Sequence, residues 1–169
     1  TLDRSSAASD VYKRQDMVLG RMDYGGESQR GWVRVDIGGK GCQFLQDWDE
    51  TRRIEELESA QLRRLDIALT TWEGQVTHDQ VVQAHKAGRF ATGGRPPALQ
   101  QVTSSDPRAG RTCYIGKREA DKFMRCYEKG FELAAKYGAK MAGSVVNIDG
   151  KAVEDIYRCE VEFKATGTD

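Results

Sequence analysis

The chain has 169 residues, 38% of them hydrophobic, with 26 Lys+Arg against 26 Asp+Glu. It is long enough to bury a core as one domain, and it lacks the run of about 18 apolar residues that a membrane span needs, so no membrane partner is expected. The formal net charge of +0 excludes a globally basic nucleic-acid binder; any contact with a polyanion has to come from a local patch.

Residues 1–15 read TLDRSSAASDVYKRQ. Synonymous codons for all fifteen spell a transposase-type sequencing adaptor with its index. We read the segment as an assembly scar, disordered and outside the fold. On that reading the native start is missing, the end at Asp169 is a truncation, and residues 16–169 form a single domain. Without the scar, 23 Lys+Arg face 24 Asp+Glu, a net charge of about −1. The four cysteines, Cys42, Cys113, Cys126 and Cys159, show no metal-knuckle spacing. They read as free thiols in a reducing cytosol.

Residues 16–30 are polar and Gly-rich, a loop or a degenerate first strand. In 31–37, Val33, Val35 and Ile37 alternate with Trp32, Arg34 and Asp36, the period of a strand. Gly38, Gly39 and Gly41 then mark a turn or bulge. A phosphate-cradling reading of these glycines lacks the Walker spacing and its Lys-Ser/Thr. Residues 47–60 predict a helix with Trp48, Ile54 and Leu57 as its inward stripe and a solvated charged face. Residues 63–71 predict a strand, with Leu65, Ile67 and Leu69 on one face and Asp66, Ala68 and Thr70 on the other. An acid inside an apolar strand is costly to bury unpaired. Asp66 is therefore ion-paired to Arg64 or Arg118, exposed on an open face, or a metal ligand.

After a turn at 72–75, Thr77 caps a helix to Ala87 that offers Val81, Val82 and Ala84 to a core. His78 and His85, two turns apart, read as core or surface residues rather than as a metal pair. Residues 89–110 are rich in Gly, Pro and Ser and read as a loop, made locally basic by Arg95, Arg108 and Arg111. This loop is either a solvated linker or a track for a DNA backbone.

The stretch RTCYIGKREADKFMRCYEKG, from Arg111, carries two apolar-aromatic runs, 112–116 and 122–128, that pair as a hairpin around 117–121. In the second run Phe123, Arg125, Tyr127 and Lys129 share a face. A tyrosine between two cations is well placed to meet a phosphate, although on the residues alone Tyr127 is more simply a tyrosine packed at a sheet surface. A helix over 130–137 follows, capped by Gly138. Residues 139–153 are loose, with a turn at Asn147-Ile-Asp-Gly150. The last strand, 155–164, places Arg158, Glu160, Glu162 and Lys164 on one face and Tyr157, Cys159, Val161 and Phe163 on the other. Two acids two residues apart on a strand suit a hard metal ion; the plainer reading pairs them across strands with Arg125 or Lys129. The element order predicts an α+β fold, an antiparallel β-sheet with helices on one face. The other face is open and carries Asp66, Tyr127, Glu160 and Glu162.

These segments resemble the rolling-circle replication initiation factors of plasmids and filamentous phages, the Rep_trans family. RRLDIALTTWEGQVTHDQVVQAHKAGRF is similar to the family's Arg-x-Asp strand and the helix after it, and GWVRVDIGGKGCQFL to its Gly-rich first strand. With the hairpin and the last strand, the resemblance spans residues 21–165. One departure lies in the turn, where Lys117 and Arg118 stand in place of the family's Ser. The resemblance implies a nicking-endonuclease-like fold, a replication-initiator domain that nicks DNA at a replicon origin and later rejoins the strand. It implies Tyr127 as the nucleophile that forms a 5′-phosphotyrosine, with Tyr114 as runner-up, and Lys129 to stabilise developing charge. It implies Asp66, Glu160 and Glu162 as ligands of a divalent Mg or Mn, and Arg64, Arg118, Arg125 and Arg158 as DNA contacts. The implied partners are single-stranded or supercoiled origin DNA and the host's replication helicase and polymerase, in the cytoplasm of a bacterial host; the oligomeric state stays open.

Two alternatives stand beside it. One is a non-catalytic nucleic-acid-binding module that stacks bases on an open sheet. The other is an inactive, truncated relative. Acids on the polar face repel a phosphate backbone unless a metal sits between them, which favours nicking over the binding module.

Overall fold

The computed structural model describes residues 8–14, 17–136, 147–148 and 150–165. They belong to two compact units, Thr1–Gln61 and Leu62–Asp169.

The smaller unit is an antiparallel meander of β1 (Ala8–Arg14), β2 (Met17–Tyr24) and β3 (Arg34–Ile37), in that order. The expectation of disorder over 1–15 is thereby corrected for residues 8–14. The segment after them supplies an antiparallel partner, from Ala8 opposite Tyr24 to Arg14 opposite Met17, with a shift of register between Tyr12 and Lys13. The next strand starts at Arg34, and its Val35 and Ile37 are exposed. The glycine-marked turn is instead a short helix, α1 (Gly39–Cys42). Gly41 lies so close to β2 that a Cβ would sit 2.0 Å from the Leu19 carbonyl oxygen, so the position accepts nothing larger than glycine. Helix α2 (Trp48–Leu57) begins where the Asp47 carboxylate accepts the Glu50 N–H at 2.9 Å. Its expected inward stripe is exposed, Leu57 at 82%. Periodicity tells which residues share a helix face, not that a partner for that face exists.

The larger unit contains β4 (Arg64–Thr71), α3 (His78–Lys86), β5 (Leu99–Val102), β6 (Thr112–Ile115), β7 (Lys122–Tyr127), α4 (Lys129–Lys136), the small hairpin β8 (Asn147–Ile148) and β9 (Lys151–Ala152), and β10 (Tyr157–Lys164). Five strands form one antiparallel sheet in the order β4-β10-β7-β6-β5, so the fold is α+β. Strand β5 lies in the segment read as loop. Its Leu-Gln-Gln-Val sequence has no alternating pattern, and as an edge strand it takes its structure from β6 alone. The expected helix cap at Gly138 lies outside the described residues.

Alternation gives the sheet two unlike faces. On one, three cysteines stand in a row across adjacent strands, Cys113 opposite Cys126 and Cys126 opposite Cys159. With Ile115, Tyr157 and Val81 of α3 they centre the core. All three are free thiols, and Cys113 and Cys126 are fully buried. Hydrogen bonding to Cys113 and Cys159, with burial, pushes the middle thiol, Cys126, well above the usual thiol range. Helix α3 is set by a capping box, Thr77 and Gln80 each bonding the other's backbone N–H. His78 is a core residue, its Nδ1 3.3 Å from the Tyr157 hydroxyl. Burial, then the nearby Arg111 charge, lower its pKa from 6.5. His85 Nε2 meets the Pro97 carbonyl oxygen at 2.7 Å.

Helix α4 is held at its start by Gly130, whose N–H donates to the Ile156 carbonyl at 3.1 Å. A Cβ on Gly130 would lie 2.0 Å from the Val153 carbonyl oxygen. Gly130→Ala is therefore expected to cost about 2 kcal/mol by forcing backbone apart, seen as a lower urea midpoint. Gly94→Ala, which faces open space, should stay within about 0.5 kcal/mol of the parent. Folding also depresses the His78 pKa, so as pH drops below 6.5 the unfolded chain binds that proton first. Melting temperature should fall as pH is lowered from about 7 to 5, and His78→Gln should flatten that slope.

Candidate functional site

The sheet's second face brings together nearly all the residues singled out by sequence. Register sets them in rows across the strands. Thr70, Arg158, Tyr127 and Thr112 make one row; Ala68, Glu160, Arg125 and Tyr114 the next; then Asp66, Glu162 and Phe123; then Arg64 and Lys164. Arg118 lies in the turn between β6 and β7, its guanidinium 5.5 Å from the Phe123 ring centre. Lys129 does not continue the strand pattern, because the chain leaves β7 at Tyr127 and Lys129 opens α4. Its ammonium nevertheless lies 5.5 Å from the Tyr127 ring centre and is bonded to Glu132.

Tyr127 is 8% exposed, with the Arg125 guanidinium 4.9 Å from its ring centre. Its hydroxyl donates to Glu160 Oε1 at 2.9 Å, while Arg125 Nε donates to Oε2 at 3.0 Å. One carboxylate thus holds both the phenol and the guanidinium. Burial first, then the bond to Glu160 and its charge, push the Tyr127 pKa up to about 12. The phenol is protonated at neutral pH and needs a base to become a nucleophile; Glu160 already sits at its proton.

The remaining charges are arranged as ion pairs. Arg64 reaches Asp66 at 2.7 Å and Glu162 at 2.8 Å, and Lys164 reaches Glu162 at 2.8 Å. Arg158 Nε donates to the Thr70 hydroxyl at 2.7 Å. Carboxylates are the right donors for a hard cation, and Asp66 and Glu162 face each other across β4 and β10. Glu160, however, turns its oxygens to Arg125 and Tyr127. Among the described residues no three His, Cys, Asp or Glu side chains are grouped to hold a metal ion. The three expected ligands stand as an opposed pair bridged by Arg64 and a separate carboxylate. The plain alternatives weighed for Asp66 and Glu160, pairing with Arg64 and with Arg125, are realised.

Much of the basic charge of the 89–110 segment and its border is spent locally. Arg108 pairs with Asp106 at 3.0 Å. Arg111 spans Glu128 at 2.8 Å and Asp79 at 2.9 Å, closing the loop onto the end of β7 and the start of α3. The neighbours of Tyr127 that sequence did not single out are Thr112, Phe131 and Glu132. With Arg108, Arg125 and Tyr127 they wall a cleft of about 340 Å³. Phe131 packs against Gly110, 3.1 Å from where a Cβ would stand at its φ of +67°. The available signal was spacing: a helix begun at Lys129 turns residues four and five beyond Tyr127 back toward it.

The family comparison bears on this unit, and the structural one on most of the chain. A family model described as a replication initiation factor matches residues 60–168. The fold is similar to that of a rolling circle replication initiator protein from Geobacillus stearothermophilus, with a TM-score of 0.56 and 21% identity. That likeness covers 86% of this chain and 52% of the initiator, so the chain spans about half that protein's length. No curated protein matches the chain.

Glu160→Gln is expected to bring the Tyr127 pKa down from about 12, because the acceptor's negative charge goes while burial remains. Ultraviolet titration, differenced against Tyr127→Phe, reads that phenol alone. An unchanged value would mean that burial sets it without help from Glu160.

Proposed function

Because the chain belongs to the replication initiation factor family, we propose that it nicks DNA at a replicon origin and so starts rolling-circle replication of a plasmid or phage. The observation that carries this reading is the Tyr127–Glu160–Arg125 group, a phenol with a base on its proton and a guanidinium on the same carboxylate. In the proposed reaction the Tyr127 oxygen attacks the scissile phosphorus as its proton passes to Glu160. The bond from phosphorus to the 3′ oxygen breaks and that oxygen takes a proton from water, leaving a 5′-phosphotyrosine and a 3′-OH that primes synthesis. Attack by a 3′-OH on that linkage rejoins the strand. Arg125, released from Glu160 as the latter gains a proton, is free to grip a non-bridging oxygen. Lys129, beside the ring, favours the phenolate. Arg64, Arg118 and Arg158 supply further contacts to DNA.

A divalent Mg or Mn belongs to the proposal, with Asp66 and Glu162 as the residues that would hold it in exchange for Arg64, while Glu160, turned to Tyr127 and Arg125, serves as the base. When bound, such an ion polarises the phosphate and offsets its charge. Origin DNA, single-stranded or supercoiled, is the proposed substrate, the host's helicase and polymerase the following partners, and a bacterial cytoplasm the setting. The larger unit's helices contain no segment long and apolar enough to cross a membrane among the described residues. A non-catalytic DNA-binding module is the second reading. It is favoured by the burial and high pKa of Tyr127 and by the cations already bound to each carboxylate.

The test is a denaturation-resistant adduct between this protein and labelled single-stranded DNA from the parent replicon's candidate origin, with Mg²⁺ or Mn²⁺. Tyr127→Phe should abolish the adduct and Tyr114→Phe should not. An adduct mapped to Tyr114 would keep the function and move the nucleophile; binding without an adduct would favour the second reading. For the metal, Arg64→Met should strengthen Mn²⁺ binding by about tenfold in calorimetry, as the exposed pair with Asp66 and the half-buried pair with Glu162 are removed. No gain would remove Asp66 and Glu162 from the metal assignment.

A further inference from the structure

Among the described residues, Tyr114 is an aromatic of the polar face that lines two clefts, one on each side of its place on β6. It stands on β6 between Gln100 of β5 and Arg125 of β7. Its ring is stacked on Phe123, with centroids 5.7 Å apart and planes 19° from parallel. Phe123 is itself nearly buried, with the Arg118 guanidinium over its ring. The cleft of about 340 Å³ beside Tyr127 ends at Tyr114. A second cleft, of about 410 Å³, begins there and is lined by Gln100, Lys117, Arg118 and Phe123. Tyr114 lines both clefts, with one face of its ring against Phe123.

The two clefts differ in chemistry. The first holds the proposed nucleophile and Arg125, groups suited to a phosphate. The second is lined by the Tyr114 and Phe123 rings, the Gln100 side-chain amide, the cations Lys117 and Arg118, and one acid, Glu119. Aromatic surface and an amide suit a nucleobase, whose ring stacks and whose edge hydrogen-bonds; the cations suit the phosphates on either side of it. The base has to be unpaired, because a base inside a duplex presents no ring face to a protein side chain.

We propose that Tyr114 is a base-stacking residue, which separates the nucleotide whose phosphate meets Tyr127 from its neighbour and seats that neighbour's unpaired base in the second cleft. The inference rests on the reading of this face as a DNA site. It also gives Tyr114 a role that uses its ring rather than its hydroxyl, and so divides it from the nucleophile.

The experiment uses the full chain and a single strand of about twelve nucleotides from the candidate origin, with 2-aminopurine placed at one position at a time. Stacking on tyrosine quenches that base. We expect quenching at one position on binding. Tyr114→Ala should restore the fluorescence and weaken binding about tenfold. Tyr114→Phe should keep both quenching and affinity. If Tyr114→Ala loses the native circular dichroism, Tyr114→Leu replaces it, since leucine fills the space without a ring.

Unchanged affinity and quenching in a folded Ala or Leu variant would overturn the inference. So would a Phe variant as impaired as Ala, which would place the role in the hydroxyl. The adduct assay on the same preparations separates this from the nicking reading. An adduct on Tyr127 with Tyr114-independent binding sinks the stacking role alone. Tyr114-dependent quenching without any adduct sinks nicking alone, and a parent protein that binds no strand sinks both.

Discussion

The larger unit depends on the register of β10. This strand lies between β4 and β7 and joins them. Its inward side chains, Tyr157 and Cys159, seat in the core with Cys126 and Cys113. Because strand side chains alternate, a slip of one residue would turn Glu160 and Glu162 into the apolar face and expose the core. Burial of Tyr157 and Cys159 therefore also sets where the carboxylates stand. The Tyr127–Glu160 contact joins residues 33 apart in the chain, and the Thr71–Tyr157 contact residues 86 apart. The polar site cannot form before the sheet does, and such non-local pairing makes for slow folding.

The face that β10 completes carries its own counter-ions. Glu160 has Arg125, Asp66 has Arg64, and Glu162 has Arg64 and Lys164. The Arg64–Asp66 pair is exposed and contributes about 0–1 kcal/mol; Glu160 and Glu162 are half-buried, so their pairs cost more to break unless a phosphate takes the carboxylate's place at the guanidinium and the carboxylate is neutralised. A chain of zero net charge exerts little long-range pull on a polyanion. In the proposed reading, recognition on this face is a matter of contact, in which the guanidinium changes partner and the freed carboxylate takes a proton. In the proposed reaction that exchange links the grip on phosphate to removal of the phenol's proton, since both run through Glu160.

Local pattern made a large part of this legible. The strands at Arg64–Thr71, Thr112–Ile115, Lys122–Tyr127 and Tyr157–Lys164 announce themselves by period-2 alternation, and the helix at His78–Lys86 by its Thr77 cap and Val81/Val82 pair. Strand β5 was not legible because an edge strand of two glutamines takes its structure from a neighbour. The strand at Ala8–Arg14 was hidden in the same way, its polar residues paired by β2. Lys129 was placed on the strand because alternation does not say where a strand stops; the backbone turns into α4 there, where Gly130 can approach Val153. Phe131, Glu132 and Thr112 entered the site through tertiary packing and had no motif of their own.

The sequence by itself determined which side chains share a face, since alternation is a property of the backbone over a few residues. That is why Asp66, Tyr127, Glu160 and Glu162 could be assigned to one surface of an antiparallel sheet, and why the larger unit's resemblance to replication initiation factors could be read from its strands. The tertiary structure alone decided who meets whom on that surface. Arg64, rather than an open space, stands between Asp66 and Glu162, and Glu160 is shared by Tyr127 and Arg125. Partnership across strands depends on register and rotamer between segments far apart in the chain, and no local pattern encodes either.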